Sequence, residues 1–301
     1  MNKRLKSNAC LLGTAIIWGG AFVVQREGMG SVGPFMFSGV RMLMAVAALL
    51  PLVIRDAKKK KDFDPGIVKS ERKYMLLGGT CAGIVYFLAA NLQQVGLVSV
   101  DAGKTAFITA LYILLTPLVG IFLKQKINAL NWIGAVIGVF GLYFLCITKE
   151  FTIERGDLII LIGALFWALH IQTIDHFTLK TPSVNLICMQ SLVAGIISLI
   201  IGFTTETNTI HGIVENIPNL FYSGVISAGL AFTLQAMGQK YANPTTASII
   251  LSTEALFGAI CGFIFLHEVM SGRELLGCGL MMAAIIISQI TMPEKKKASL
   301  E

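Results

Sequence analysis

Apolar positions along the chain gather into ten long runs, at about 9–26, 32–54, 74–96, 102–123, 130–148, 156–176, 183–203, 217–238, 244–266 and 273–291. Short connections rich in glycine, proline, asparagine or charge separate most of them,. The longest connection, 55–73, is polar and lysine-rich. A helix rises ~1.5 Å per residue and a bilayer core is ~30 Å thick, so runs of ~20 apolar residues are long enough to cross it. The pattern predicts an all-α polytopic membrane protein of ten transmembrane helices.

The polar exceptions inside these runs carry the chemistry. Glu254 is the eleventh of the 23 residues in 244–266, which puts it near mid-depth. A carboxylate there costs roughly 3 kcal/mol on insertion scales, so it points to a chamber that carries a solute or a proton. The competing reading is a structural glutamate, protonated or paired with a neighbouring helix. In the fourth run Thr105, Thr109, Tyr112 and Thr116 recur at steps that put them on one helical face,. Threonines in membrane helices also bond to their own backbone. Tyr112 favours a cavity. Other faces carry Thr14, Trp18, Ala21 and Gln25; Tyr86, Ala90 and Gln93, with Asn91 and Gln94 nearby; Gly163, Trp167 and His170; and Phe232 with Gln235. Trp18 and Trp167 lie deeper than the interfacial belts that tryptophan favours. His170 titrates near neutrality in its ordinary form, although a lone membrane histidine is more often a hydrogen-bonded packing residue. Arg41, ten residues into the second run, must find a partner or snorkel. Glu254 and lipid phosphates are the candidate partners. Gly79, Ala82 and Gly83 allow close helix approach.

The chain repeats itself. Trp18 corresponds to Trp167 at an offset of 149, and Gln93 to Gln235 at an offset of 142. The same registers pair Arg41 with Gln190 and Tyr112 with Glu254. The expected division is a first five-helix repeat over 1–150, a second over 151–293 and a basic tail over 294–301. Five is odd, so the second repeat enters the membrane inverted, with a site near the midplane between the two.

Composition agrees. Of 301 residues 55% are hydrophobic and only 14% charged, too few charges to cover a soluble domain of this size,. The net charge of +7 suggests nucleic acid until the basic residues are placed. With the N-terminus inside, 18 of the 24 Lys and Arg fall on the inner side and 5 on the outer. That asymmetry predicts both termini in the cytoplasm and assigns the basic excess to the anionic lipid bilayer rather than to nucleic acid. The first run is read as a crossing helix, not a cleaved leader, because it passes through Trp18 and Phe22 with no small-residue cleavage site,. The six cysteines lie in or beside apolar runs without metal spacing, so neither a metal nor a disulfide is expected,. His267-Glu268 lacks the second histidine of a zinc protease, and no glycine loop ending in Lys-Ser/Thr is present for ATP,. No catalytic residue and no cofactor are expected. A membrane-embedded enzyme or a channel without a recognisable motif is the alternative reading.

Several stretches together resemble the drug/metabolite transporter superfamily, in its EamA-type ten-helix form. They are Trp18-Gly19-Gly20-Ala21-Phe22, Gly103-Lys104 through Thr109 and Tyr112, Thr116-Pro117-Leu118-Val119-Gly120, and Leu251-Ser252-Thr253-Glu254-Ala255 followed by Glu268. Where that family often has Glu-Pro and Leu-Gly-Glu, this chain has Glu254-Ala255 and Leu266-His267-Glu268, which removes the ground for a proline kink beside Glu254. The resemblance implies export of small metabolites or drugs across the cytoplasmic membrane by alternating access. Several cations would be needed to hold a phosphate, and Arg41 is the one deep cation in the runs. The expected substrate is therefore an amino acid or another zwitterionic or cationic amphiphile. Its expected contacts are Trp18, Tyr86, Gln93, Thr109, Tyr112, Trp167, His170, Gln235 and Glu254. Arg41 and Glu254 are the candidate ion pair or coupling groups, and protons the candidate coupling ion.

Overall fold

The computed structural model describes residues 3–29, 32–60, 63–100, 102–147, 154–207, 210–265 and 271–290. Leu266-His267-Glu268, Lys149 and the basic tail lie outside the described residues. Helices are the only regular elements among the residues described. The first half holds α1 (Lys3–Gly28), α2 (Pro34–Lys59), α3 (Pro65–Leu97), α4 (Ala102–Ala110), α5 (Tyr112–Phe122) and α6 (Ala129–Cys146). The second holds α7 (Arg155–Phe177), α8 (Ser183–Thr205), the short α9 (Ile210–Glu215), α10 (Ile217–Phe221), α11 (Phe232–Gln239), α12 (Pro244–Leu251), α13 (Glu254–Phe265) and α14 (Gly272–Ile290).

Local chemistry sets several helix starts. Proline opens α2, α3 and α12, where a missing N–H costs nothing,. Asp64, Asn128 and Asn243 cap α3, α6 and α12, each accepting a backbone N–H with its side chain,. Glu154 and Asp157 form a reciprocal capping box at α7,. By length and hydropathy seven stretches suffice to cross a membrane: α1, α2, α3, α4 with α5, α7, α8, and Ile217–Gln239. The runs expected at 130–148, 244–266 and 273–291 fold as α6, the broken pair α12–α13 and α14, which do not reach that measure over the described residues.

Three of the expected helices are not continuous. The fourth is interrupted at Leu111, whose N–H bonds Ile108 O at 3.2 Å, three residues back instead of four. The ninth is interrupted at Ser252-Thr253, with the same tightening from Thr253 N to Ile250 O at 3.2 Å. This break forms without a proline. The hydroxyls of Ser252 and Thr253 bond back to the Ile249 and Ile250 carbonyls, competing with the helical ladder,. The two breaks are repeat mates, since Tyr112 opens α5 and Glu254 opens α13. The eighth helix contains a wide π-turn stretch over Tyr222–Ala231 between α10 and α11.

Repeat mates also pack on one another: α2 lies along α8, and α6 along α14. α3 packs on α7 and α8, and α1 on α11 and α13. Glycine makes the closest of these contacts. A Cβ on Gly19 would lie 2.7 Å from the Gly258 nitrogen and 2.9 Å from the Glu254 carbonyl oxygen, so α1 seats backbone to backbone on α13. Gly79 and Gly83, expected to permit close approach, do so against Met189 and Val193 of α8.

Gly19→Ala should therefore lower the melting temperature of the detergent-purified protein, by an overpacking cost of about 1–3 kcal/mol. Gly13→Ala, on the same helix, finds only the Leu234 methyl at 3.6 Å. It should raise the melting temperature through the better helix propensity of alanine. Equal melting temperatures for the two variants would contradict the packing described.

Candidate functional site

A cavity lies between the two halves. Trp18, Ala21, Phe22 and Gln25 of α1 line it, with Arg41, Tyr86, Gln93, Thr109 and Tyr112 from the rest of the first half. Trp167, Ile171, Ser227, Phe232, Gln235 and Glu254 line it from the second half. About 510 Å³ is free of protein atoms, but the water-accessible part is about 40 Å³, room for a few waters.

At its centre Tyr112 Oη donates to Glu254 Oε1 at 3.2 Å. The two residues open half-helices broken at matching places, so the contact sits on the seam between the repeats. Glu254 is 4% exposed and occupies the first turn of α13. The positive end of the helix dipole there favours a carboxylate by roughly 0.3–1 kcal/mol.

One wall is aromatic. Phe232 lies 4.8 Å from Trp18, 4.7 Å from Tyr86 and 5.9 Å from Trp167 between ring centroids, stacked on the last. Trp18 and Trp167, the repeat mates, approach to 6.2 Å. Trp167 Nε1 donates to Gln93 Oε1 at 2.7 Å, which fixes the indole. Trp18 Nε1 reaches the Ser227 carbonyl at a long 3.5 Å.

Eight of the nine residues expected to contact a solute line this cavity. His170 does not. It is fully buried behind the aromatic wall, its ring against Tyr86, Trp167 and Phe232, with Nε2 3.0 Å from Gln190 Oε1. Burial behind three rings and one amide makes it a packing residue in this state. Arg41 and Glu254 share the cavity but do not form the expected ion pair. Arg41 Nη1 donates instead to Gln25 Oε1 at 2.8 Å. Gln25 was legible on the α1 face with Trp18, but nothing in its spacing names Arg41 as its partner. Ser227 enters the wall from the π-turn stretch, and Phe232 from the first residue of α11 directly after it. Phe232 was legible on a face with Gln235, whereas Ser227 lies among the mixed small and branched residues Ser223 to Gly229 and carries no such signal.

Polar contacts join the helices toward both ends. Where α5, α7 and α11 terminate, Gln235 Nε2 donates to Gln239 Oε1 at 2.9 Å, and Gln239 Nε2 to the Ile171 carbonyl at 2.9 Å. Beside them Gln172 Nε2 donates to the Thr116 carbonyl at 3.0 Å, and Gln125 Nε2 to Gln172 Oε1 at 2.8 Å. At the opposite end Lys104 and Asp157 form a 2.6 Å ion pair between the first turns of α4 and α7. Glu206 accepts the Phe35 and Met36 amides at the start of α2.

Fold and cavity together define a multi-pass helical membrane protein built from two like halves around a central chamber lined by polar and aromatic side chains. The sequence profile described as the EamA-like transporter family matches residues 5–147 and again 154–289, and the chain belongs to that family. An uncharacterized transporter of Archaeoglobus fulgidus is 30% identical over 95% of this chain and 86% of its own. The uncharacterized transporter YoaV of Bacillus subtilis is 23% identical over 95% and 97%. The uncharacterized inner membrane transporter YedA of Escherichia coli is 23% identical over 90% and 87%. A crystal structure of a protein 15% identical superimposes with a TM-score of 0.73 over 94% of this chain and 96% of that one, a likeness of fold.

Gln93→Leu should leave the Trp167 indole N–H without its acceptor, at a cost of about 1–3 kcal/mol. The readouts are the melting temperature and the tryptophan emission of the purified protein. An unchanged melting temperature with an unchanged spectrum would contradict the contact.

Proposed function

We propose that the protein is a secondary transporter that exports a small metabolite across the cytoplasmic membrane by alternating access. Ten crossings carry it, as two inverted five-helix repeats over 1–150 and 151–293, with both termini and the basic tail 294–301 in the cytoplasm. The solute is an amino acid or another zwitterionic or cationic amphiphile, drugs included. The cavity between the halves, with the buried carboxyl of Glu254 in its wall, carries this reading. A buried carboxyl on the seam between two repeats is placed to meet a cation or a proton from either side. The contacts to the solute are Trp18, Tyr86, Gln93, Thr109, Tyr112, Trp167, Gln235 and Glu254, and the aromatic wall suits a ring or an ammonium group. His170 is a reserve candidate for proton coupling only if the wall in front of it opens. The relatives named as transporters support the class and leave the solute open.

Topology is tested by single cysteines at Lys58 and Thr204, both exposed at helix ends, in a background without the native cysteines. Lys58 should label from the cytoplasm and Thr204 from outside. Labelling from the same side would refute the arrangement.

The role of Glu254 is tested with Glu254→Gln, reconstituted and assayed for efflux and counterflow at several pH values. A solute contact predicts that both fall. A proton carrier predicts that active export is lost while counterflow persists. Near-normal transport at every pH would mean that an amide replaces the carboxyl, and the proposed role would fail.

A further inference from the structure

Arg41 is a buried cation that the described protein leaves without an anion. It is 5% exposed, so its side chain does not snorkel to lipid phosphates,. Its backbone is clamped as well, since a Cβ on Gly224 would lie 2.6 Å from the Arg41 carbonyl oxygen. The guanidinium therefore has little freedom to leave. Nη1 is held by Gln25, whose own Nε2 is tied to the Ala21 carbonyl at 3.0 Å. Nε has no partner at all, and neither does the hydroxyl of Tyr86, which lines the same cavity and interacts electrostatically with Arg41. No described carboxylate lies within ion-pairing distance of Arg41. A charge taken out of water costs several kcal/mol unless something compensates it. Gln25 supplies one neutral acceptor where a counter-ion belongs.

Building on the transporter reading, we propose that Arg41 is the carboxylate anchor of the solute, so that the cavity is a two-headed site. The solute's carboxylate takes the free Nε edge of Arg41 and the Tyr86 hydroxyl, both unpaired donors. Its ammonium takes Glu254, and its side chain lies on the aromatic wall of Trp18, Trp167 and Phe232. The planar guanidinium suits a planar carboxylate with parallel hydrogen bonds. A single cation flanked by neutral groups does not match a phosphate dianion. Gln25 acts as a positioning residue. It keeps Arg41 turned to the cavity when the site is empty and stops it from collapsing onto Glu254. The two charges on the cavity wall then select solutes that carry both a carboxylate and an ammonium.

The test uses the full chain in liposomes. Counterflow is screened with the protein amino acids and with the amines left when the α-carboxylate of each is removed. Wild-type protein should carry at least one amino acid well and its matching amine poorly. Arg41→Gln should weaken the apparent affinity for that amino acid by about 30-fold or more, the expected loss when one partner of a buried charge pair is removed. Affinity for the amine should stay nearly unchanged. Arg41→Lys, which keeps the charge and loses the fork, should fall between. If wild-type protein carries amines as well as amino acids, the anchor is refuted while the transporter reading stands, and this comparison needs no variant. If both solutes weaken together in a folded Arg41→Gln protein, Arg41 is structural and the proposal fails. If no amino acid moves at all, the anchor proposal fails, while the transporter reading, which also admits other amphiphiles, does not rest on this screen.

Discussion

Everything in this molecule follows from where polar groups can be placed when the surroundings are hydrocarbon. Lipid offers no hydrogen bonds, so each polar side chain at mid-depth has to be turned inward and met there. The helices comply by turning one stripe apiece toward a common seam, and the hydrogen bond from Tyr112 to Glu254 marks its centre. A carboxyl facing lipid would cost more than the packing around it returns. Rotation of α5 or α13 about its axis is therefore restricted by that single contact, and α1 is seated in turn by the backbone approach of Gly19 to Gly258.

Much of this was legible in the sequence. Periodicity gave the helices and the inward stripes, because a face that avoids lipid must recur every three or four residues. The Trp18–Trp167 and Gln93–Gln235 registers gave the repeat. Trp18 meets Trp167 in space, and so do Tyr112 and Glu254, which the second register pairs. What the pattern could not give was interruption. Leu111 carries no glycine or proline, and Ser252-Thr253 reads as two ordinary threonine-class residues in a membrane helix. Their back-bonding hydroxyls change one turn of the ladder without changing the hydropathy around it. The π-turn stretch escaped for the same reason. Partner choice was also out of reach. Arg41 had two charged candidates by depth, and it took a neutral amide sixteen positions back in the chain, on a neighbouring helix. His170 shares a helical face with Trp167 yet sits behind it, because the Phe232 and Tyr86 rings from other helices come between it and the cavity.

The matched breaks deserve a physical reading of their own. A continuous helix spends its amide groups on itself and offers only side chains to a cavity. Interrupting it at mid-depth tightens one turn, from Leu111 N to Ile108 O and from Thr253 N to Ile250 O, and starts a new half-helix where side-chain chemistry is concentrated,. Glu254 gains from this directly, because it stands at the positive end of the new half-helix,. Its mate Tyr112 stands at the same place in α5 and supplies a neutral donor in place of a second charge. The pseudo-symmetric backbone is thus filled asymmetrically, with acid on one side and phenol on the other. Two carboxylates at those positions would repel; the pair found here is mutually satisfied.

The glutamine cluster at one end of the cavity has an electrical consequence. It is made of Gln235, Gln239, Gln172 and Gln125 with two backbone carbonyls, all of them neutral. Moving a unit charge through the membrane field is worth about 2.3 kcal/mol per 100 mV. Rearranging these amides would displace dipoles only, whereas the Lys104–Asp157 pair at the opposite end carries full charges. A field across the membrane therefore acts unequally on the two ends, and a voltage dependence would report that ion pair together with Arg41, Glu254 and whatever charge the chamber holds.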